Sequence, residues 1–228
     1  MDWAAAPHGR SAATVTIDGG DAGRFTAQLP VHKPAGPIRG FVETDRHIAI
    51  NALSFDRSLQ SGEITWQALP GFGRTDGGVT AFPVTLPPVT PGGDSARLEY
   101  DLHTFASGDV TVEMHLAPSL DFQSGEGLRY AVSIDDEPPR IIKVGTWSPP
   151  SNWNTAVADS VRRVSSRHTL SAPGPHALKF WLVDPGVVLE RIVIDTAPLP
   201  VGSPAGSPLP PPGVRPSYLG PPESPSIN

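Results

Sequence analysis

Between about residues 38 and 196, apolar and polar positions alternate with a period of two, the signature of strands that bury one face. Leu98, Tyr100 and Leu102 alternate with Glu99, Asp101 and His103. Val110, Val112, Met114 and Leu116 alternate with Thr111, Glu113 and His115. Tyr130, Val132 and Ile134 repeat the pattern, as do Leu178, Phe180 and Leu182. Further strands are expected at 48–52, 64–69, 79–82, 141–144 and 189–194. About ten short strands separated by turn clusters predict an all-β chain folded as a jelly-roll-like β-sandwich.

Two local readings follow from the same pattern. A loop over 105–109 would make a hairpin that pairs Leu102 with Val112 and Tyr100 with Met114, setting Glu99 opposite His115 and Asp101 opposite Glu113 on the outer face. From 154 to 170, Val157, Val161 and Val164 have helical spacing. The β-branched content and the following Ala172-Pro-Gly-Pro-His176 turn instead predict a short helical turn and then a strand from about Val161.

The two ends differ from this middle. The first 36 residues carry Trp3 and a second predicted hairpin, 14–17 with 24–29, around Asp18-Gly-Gly-Asp-Ala-Gly23. Two strands cannot bury a core alone, so this segment is either an extra pair of strands on the sandwich or the end of a preceding domain. Residues 194–228 hold 11 prolines. The stretch from 198 reads as an extended linker, partly polyproline II, before a short tail in which Tyr218 and Leu219 are candidate anchors. The expected division is therefore 1–36, 37–197 and 198–228.

Composition agrees with strands and turns. The 228 residues include 23 Gly and 28 Pro, which interrupt helices and suit strand corners. With no Cys there are no disulfides and no thiolate metal sites. A net charge of -6, with no Lys/Arg run longer than Arg162-Arg163, argues against a nucleic-acid partner. Membrane spanning is not expected, since no apolar stretch approaches the roughly 20 residues a bilayer helix needs. The residues after Met1 lack the basic and apolar segments of a signal peptide.

Candidate chemistry is sparse. There is no phosphate-binding glycine loop, His-Glu-x-x-His, nucleophile elbow or calcium loop. Asp135-Asp136-Glu137 could suggest paired glycosidase carboxylates, yet strand neighbours point to opposite faces and Pro138-Pro139 follows, so a charged strand end is the better reading. His103 and His115, on the outer face of the expected hairpin, are read as solvated rather than metal-binding. No catalytic residue, metal site or cofactor is nominated. Trp66 is expected in the core, and Trp181 faces away from Phe180 and Leu182, against a neighbouring loop. Trp147 and Trp153 lie in the polar segment Gly145-Thr-Trp-Ser-Pro-Pro-Ser-Asn-Trp-Asn154. There a flat ring can stack on a sugar while Asn152 and Asn154 offer hydrogen bonds, and the competing reading is a plug folded back onto the core.

Four segments carry a family resemblance. They are Pro70-Gly-Phe-Gly-Arg-Thr-Asp-Gly-Gly-Val-Thr-Ala-Phe-Pro-Val-Thr85, Leu128-Arg-Tyr-Ala-Val-Ser-Ile-Asp-Asp-Glu-Pro-Pro139, Trp181-Leu-Val-Asp-Pro-Gly-Val-Val-Leu189 and Pro216-Ser-Tyr-Leu-Gly-Pro-Pro-Glu-Ser224. In this order they resemble the C-terminal domain of glycoside hydrolase family 115, over roughly Gly40 to Ser224. That family comprises xylan α-1,2-glucuronidases, which remove glucuronic acid or its methyl ether from xylan. The resemblance implies an extracellular enzyme whose catalytic domains lie upstream and are absent from this chain, with residues 1–36 as the remnant of an immunoglobulin-like domain. It also implies an Ile-Glu-Ala-Glu strand, whose glutamates bind calcium in related carbohydrate-binding modules. Here that strand reads Ile50-Asn51-Ala52-Leu53, which leaves Asn51 and Asp195 as a degenerate remnant of such a site.

The resulting expectation is a non-catalytic, carbohydrate-associated accessory module. Its expected partners are glucuronoxylan or another plant cell-wall polysaccharide, the catalytic domains of a parent enzyme, and a second copy in a homodimer. Two alternatives are loop residues donated to an α-glucuronidase active site and a purely structural scaffold. Burial of both Trp147 and Trp153 would favour the scaffold.

Overall fold

The computed structural model describes residues 7–33, 36, 38–44, 46–122, 127–145, 149–196 and 215–216. The chain opens with β1 (Gly9–Asp18), β2 (Arg24–Lys33), β3 (Phe41–Val42), β4 (His47–Asn51) and β5 (Arg57–Leu59). There follow β6 (Thr65–Pro70), β7 (Gly77–Phe82), β8 (Arg97–Thr104), β9 (Gly108–Leu116), β10 (Arg129–Ile134) and β11 (Arg140–Lys143). The helix α1 (Pro150–Asp159) precedes β12 (Arg162–Leu170), β13 (Gly174–Leu182), β14 (Leu189–Asp195) and the short β15 (Arg215–Pro216). One sheet runs β11-β10-β13-β8-β3-β15, with β5 also on β8. The other runs β12-β9-β14-β7-β6, with β4 also on β14. The two form a β-sandwich, as the alternation predicts.

Each predicted apolar face turns inward. Leu98, Tyr100, Leu102, Val112, Met114, Tyr130, Val132, Phe180 and Ile192 are all buried in one continuous core. At its centre Phe180 stacks on Tyr130, with centroids 5.5 Å apart, and meets Trp66 at 6.1 Å. Phe180 and Tyr130 belong to the first sheet and Trp66 to the second, so this contact joins the layers. The Trp66 indole N–H donates to the Leu59 carbonyl at 3.0 Å, and the Tyr100 hydroxyl donates to that of Ala52 at 2.8 Å. Trp66 is thus a core residue whose polar atom is satisfied.

Trp181 lies on the opposite face, as its phase requires, and is nonetheless buried beside Ala131 and Val183. Its indole donates to Ser133 Oγ at 2.9 Å, and the Arg97 guanidinium sits 4.6 Å from the ring centre. The segment after β7 runs alongside, where the Val89 N–H donates to the Val183 carbonyl at 2.7 Å. A loop partner, a hydrogen bond and a cation therefore seal an outward-facing tryptophan.

The expected β8–β9 hairpin does not form. β8 pairs with β13, whereas β9 pairs with β12 and β14 in the other sheet. The loop after β8, closed by Gly108 at φ 99, crosses between layers, so Leu102 and Val112 face each other across the core instead of along a ladder. Alternation states which face is inward, and a crossover satisfies that demand as well as a hairpin does. Glu99 consequently opposes Lys179 and Arg57, accepting from Arg57 Nε at 2.7 Å and Arg97 Nε at 2.6 Å, and is not near His115. Asp101 is held by the same Arg57 guanidinium at 2.6 and 3.0 Å.

The helical turn and strand expected around Val161 are both present, but the helix is longer and starts earlier. Pro150 occupies its first turn, where a missing N–H costs nothing. Ser160, at φ 52, ends it, and β12 begins two residues later. At the other end of the chain, β1 and β2 form the predicted hairpin, in register from Asp18–Arg24 outward. Its register gathers Ala13, Val15, Ile17, Phe25, Ala27 and Leu29 on one face, of which Val15, Ile17 and Phe25 remain exposed. The 198–228 segment lies outside the described residues except for β15, which pairs in parallel with β3; Tyr218 and Leu219 are not among them.

β14 contains a bulge at Glu190, between Leu189 opposite Leu116 and Arg191 opposite His115. Glu190 is buried, and residues 71–76 close over it. A Cβ at Gly73, which sits at φ 77, would come within 2.3 Å of the Glu190 carboxyl, so glycine is required on both counts. The Arg74 N–H donates to Glu190 Oε2 at 3.2 Å, while Oε1 has no partner among the described residues. Burial raises the Glu190 pKa above its ordinary value, opposed by the Arg74 N–H and by the charges of His115 and Arg74.

Replacing Phe180 by Ala is expected to cost about 3–5 kcal/mol, because it opens a cavity where the sheets meet; urea unfolding at neutral pH measures this. Glu190 gives a pH signature. A carboxyl with a raised folded pKa binds its proton more tightly when folded, so it stabilises the fold below the ordinary carboxylate value and loses that stabilisation as pH rises through the raised value. Urea midpoints from about pH 4 to about pH 8 should therefore fall less steeply in Glu190→Gln than in the parent, and an identical slope would contradict the assignment.

Candidate functional site

The sandwich has one end at which β6, β9, β11 and β13 finish and β7, β10, β12 and β14 begin. Residues 71–76, 117–122, α1 and 183–188 gather there because the ladders hold their flanking strands in register: Pro70 faces Gly77, Leu116 faces Arg162 and Leu189, and Tyr130 faces Leu182. The loops are tied by specific bonds. Asp184, itself buried, takes a bidentate pair from Arg129 at 2.8 Å and the Arg129 N–H at 2.7 Å, fixing the 183–188 turn. Arg74 reaches from the 71–76 loop to the Asp159 carbonyl at 3.0 Å, at the C-terminal end of α1, where a cation is favoured by the unpaired carbonyls. Arg162 Nε donates to the Val144 carbonyl at 3.3 Å, linking the start of β12 to the end of β11.

On this scaffold the predicted binding residues are placed unevenly. Asn152, Trp153 and Asn154 belong to α1 and not to a loop, which corrects that part of the sequence reading. Pro149 and Pro150 suit the extended cap and first turn of a helix, and the favourable Ala156 and Ala158 carry it onward. Trp153 and Asn152 are half-buried, and Asn154 is exposed. Trp147 lies outside the described residues.

The same end presents apolar side chains that sequence reasoning missed: Phe72 at 43%, Leu120 at 61% and Phe122 at 56% exposed. The Phe122 ring lies against Gly186, where an added Cβ would sit 2.7 Å from it, and Phe72 lies beside Gly78. Their signal was available, since each aromatic stands in a loop beside Gly, Asp or Ser instead of in an alternating strand. Exposed aromatic faces can stack on sugar rings, and exposed Arg163, at the start of β12, can pair with an acidic substituent.

The remaining candidates do not converge. Asn51 stands opposite Arg191 and Asp195 opposite His47, four residues apart on paired strands and so about 13 Å distant. The Asn51 amide donates to Asp76 at 3.1 Å and accepts from Arg191 at 3.3 Å, while Asp195 is bonded to the His47 ring. His103 packs edge-on to Phe105, and His115 bonds Glu113 at 2.8 Å in the other sheet. Asp135 and Glu137 lie in the turn after β10, as expected of a charged strand end, with Asp135 bonded to His176 at 2.7 Å. Among the described residues no group of three or more His, Asp or Glu could hold a metal ion.

Comparison with known proteins agrees with this architecture. No curated protein matches the sequence significantly. A solved family 115 4-O-methyl-α-glucuronidase with specificity for decorated arabinogalactans is similar over 74% of this chain, at 16% identity and a TM-score of 0.51. The match spans only 19% of that enzyme. A family 35 carbohydrate binding module from Clostridium thermocellum is similar over 65% of this chain and 98% of its own, at 13% identity and a TM-score of 0.45. The family model for the glycosyl hydrolase family 115 C-terminal domain matches residues 40–223, most of the chain, and the chain therefore belongs to that family.

Proposed function

We propose that the chain is an accessory module of a xylan α-1,2-glucuronidase that does not itself cleave glycosidic bonds, and that its α1 end contacts uronic-acid-bearing polysaccharide. The observation that carries this reading is the concentration of exposed Phe72, Leu120 and Phe122 with Trp153 and Asn154 at one loop end of a family 115 C-terminal domain. Flat apolar rings supply stacking surface, Asn154 supplies hydrogen bonds, and Arg163 supplies a cation for the uronate carboxylate.

The N-terminal hairpin belongs to the same reading. Its apolar face, with Val15, Ile17 and Phe25 exposed among the described residues, fits residues 1–36 as the remnant of a preceding immunoglobulin-like β domain. Partnership with the catalytic domains of a parent enzyme and an extracellular location are part of the same proposal.

Affinity electrophoresis tests it. The chain should be retarded by glucuronoxylan and not by cellulose, and it should release no glucuronic acid. Trp153→Ala and Phe122→Ala should each weaken retardation by about tenfold, the loss of one stacked ring. Retardation by decorated arabinogalactan alone would replace xylan as the substrate class. Unchanged mobility in all three gels would remove the carbohydrate role.

A further inference from the structure

A hydrogen-bonded chain of a different kind lies outside the α1 end. Ser166 and His168 stand two residues apart on β12 and share the face that also carries core-packed Val164 and buried Leu170. β12 is the edge strand of its sheet, and β10 of the other sheet lies against it. The turn that follows β10 brings Glu137 to the same place. Ser166 Oγ lies 2.9 Å from His168 Nε2, and His168 Nδ1 lies 3.1 Å from Glu137 Oε2.

The polarity of these bonds is set by chemistry. An ionised carboxylate only accepts, so Nδ1 carries the hydrogen and Nε2 is left with a lone pair that receives the Ser166 O–H. The His168 ring is wholly enclosed, Glu137 is one-third exposed and Ser166 is half-buried. Burial lowers the His168 pKa, Glu137 partly offsets this, and the charge of Arg140 lowers it further, so the imidazole is neutral and basic near pH 7. Arg140 also donates to the carbonyl of Arg167, the residue between Ser166 and His168. Among the described residues the other His–carboxylate pairs show no hydroxyl on the ring: His176 faces Asp135 and the Ala172 carbonyl, His115 faces Glu113, and His47 faces Asp195.

We propose that Ser166, His168 and Glu137 form a hydrolytic site of their own that acts on small carboxylic esters by acyl transfer through Ser166. Ser166 Oγ attacks the ester carbonyl carbon while its proton passes to His168 Nε2, and Glu137 stabilises the imidazolium. The carbonyl oxygen carries the negative charge of the tetrahedral intermediate. Collapse breaks the bond to the leaving oxygen, which takes the proton from His168 and departs as alcohol. Water then attacks the acyl carbon as His168 removes its proton. The Ser166 ester bond breaks, Ser166 recovers the proton and the acid is released, so one ester and one water give one acid and one alcohol. This site is independent of carbohydrate contact at α1.

The test uses the whole chain, a fluorophosphonate probe and p-nitrophenyl acetate. The expected result is one phosphonyl group per chain, mapped to Ser166 by peptide mass spectrometry and absent from Ser166→Ala. Ester hydrolysis should rise with pH, with an inflection below the ordinary imidazole value of 6.5, and should fall about a hundredfold in Glu137→Gln. Circular dichroism and urea midpoints of both variants establish that they fold, and Ser166→Ala, a small change at a half-buried position, keeps the test decisive. Absence of label in the parent chain, label retained in Ser166→Ala, or hydrolysis equal in the parent and Ser166→Ala would overturn the proposal.

Discussion

The contact of Phe180 with Tyr130 and Trp66 is the constraint on which the rest of the structure rests. These rings are three of the four largest fully buried side chains among the described residues, and two belong to one sheet and the third to the other. With the layers fixed face to face, every inward side chain of β8, β9, β10, β13 and β14 has a partner, and the strand ends line up. The positions of the loops, and hence of both sites, follow from that alignment.

Buried carboxylates then fix individual loops. Glu43 accepts the Phe105 and Ala106 N–H groups at 2.6 and 3.1 Å and the Thr196 hydroxyl at 2.7 Å, binding the crossover after β8 to the end of β14. Asp184 does the same for the turn before β14, and Glu190 for residues 71–76. Loop N–H groups that leave water need acceptors, and a charged acceptor serves several donors at once. A chain with many turns and few helices uses acids where a helical protein would use its own carbonyls.

The two sites draw on different parts of this plan. The α1 end is made of loops, which can expose aromatic rings without disturbing the core. The proposed Ser166 site is made of one edge strand and one turn. A strand's two-residue repeat sets Ser166 and His168 side by side, and the sandwich supplies the enclosure that keeps the imidazole neutral.

The alternation determined by itself which residues are strands and which faces turn inward, because a period of two leaves a pleated strand one way to bury its apolar side. It therefore placed Trp66 in the core, turned Trp181 outward and drew the N-terminal hairpin. It could not determine which strands are neighbours: Leu102 and Val112 are equally buried in a hairpin and across a sandwich, and only the packing of the layers chose the second. Likewise the sequence held the aromatic and amide groups of the α1 end, but the helical placement of Trp153 and the exposure of Phe72 and Phe122 depended on how the loops were tied. Ser166 and His168 could be read as a pair at two-residue spacing. Glu137 comes from a turn at the end of a strand of the other sheet, 31 positions from His168, and only the tertiary fold brings it to the ring, since proximity across layers is set by packing and not by local pattern.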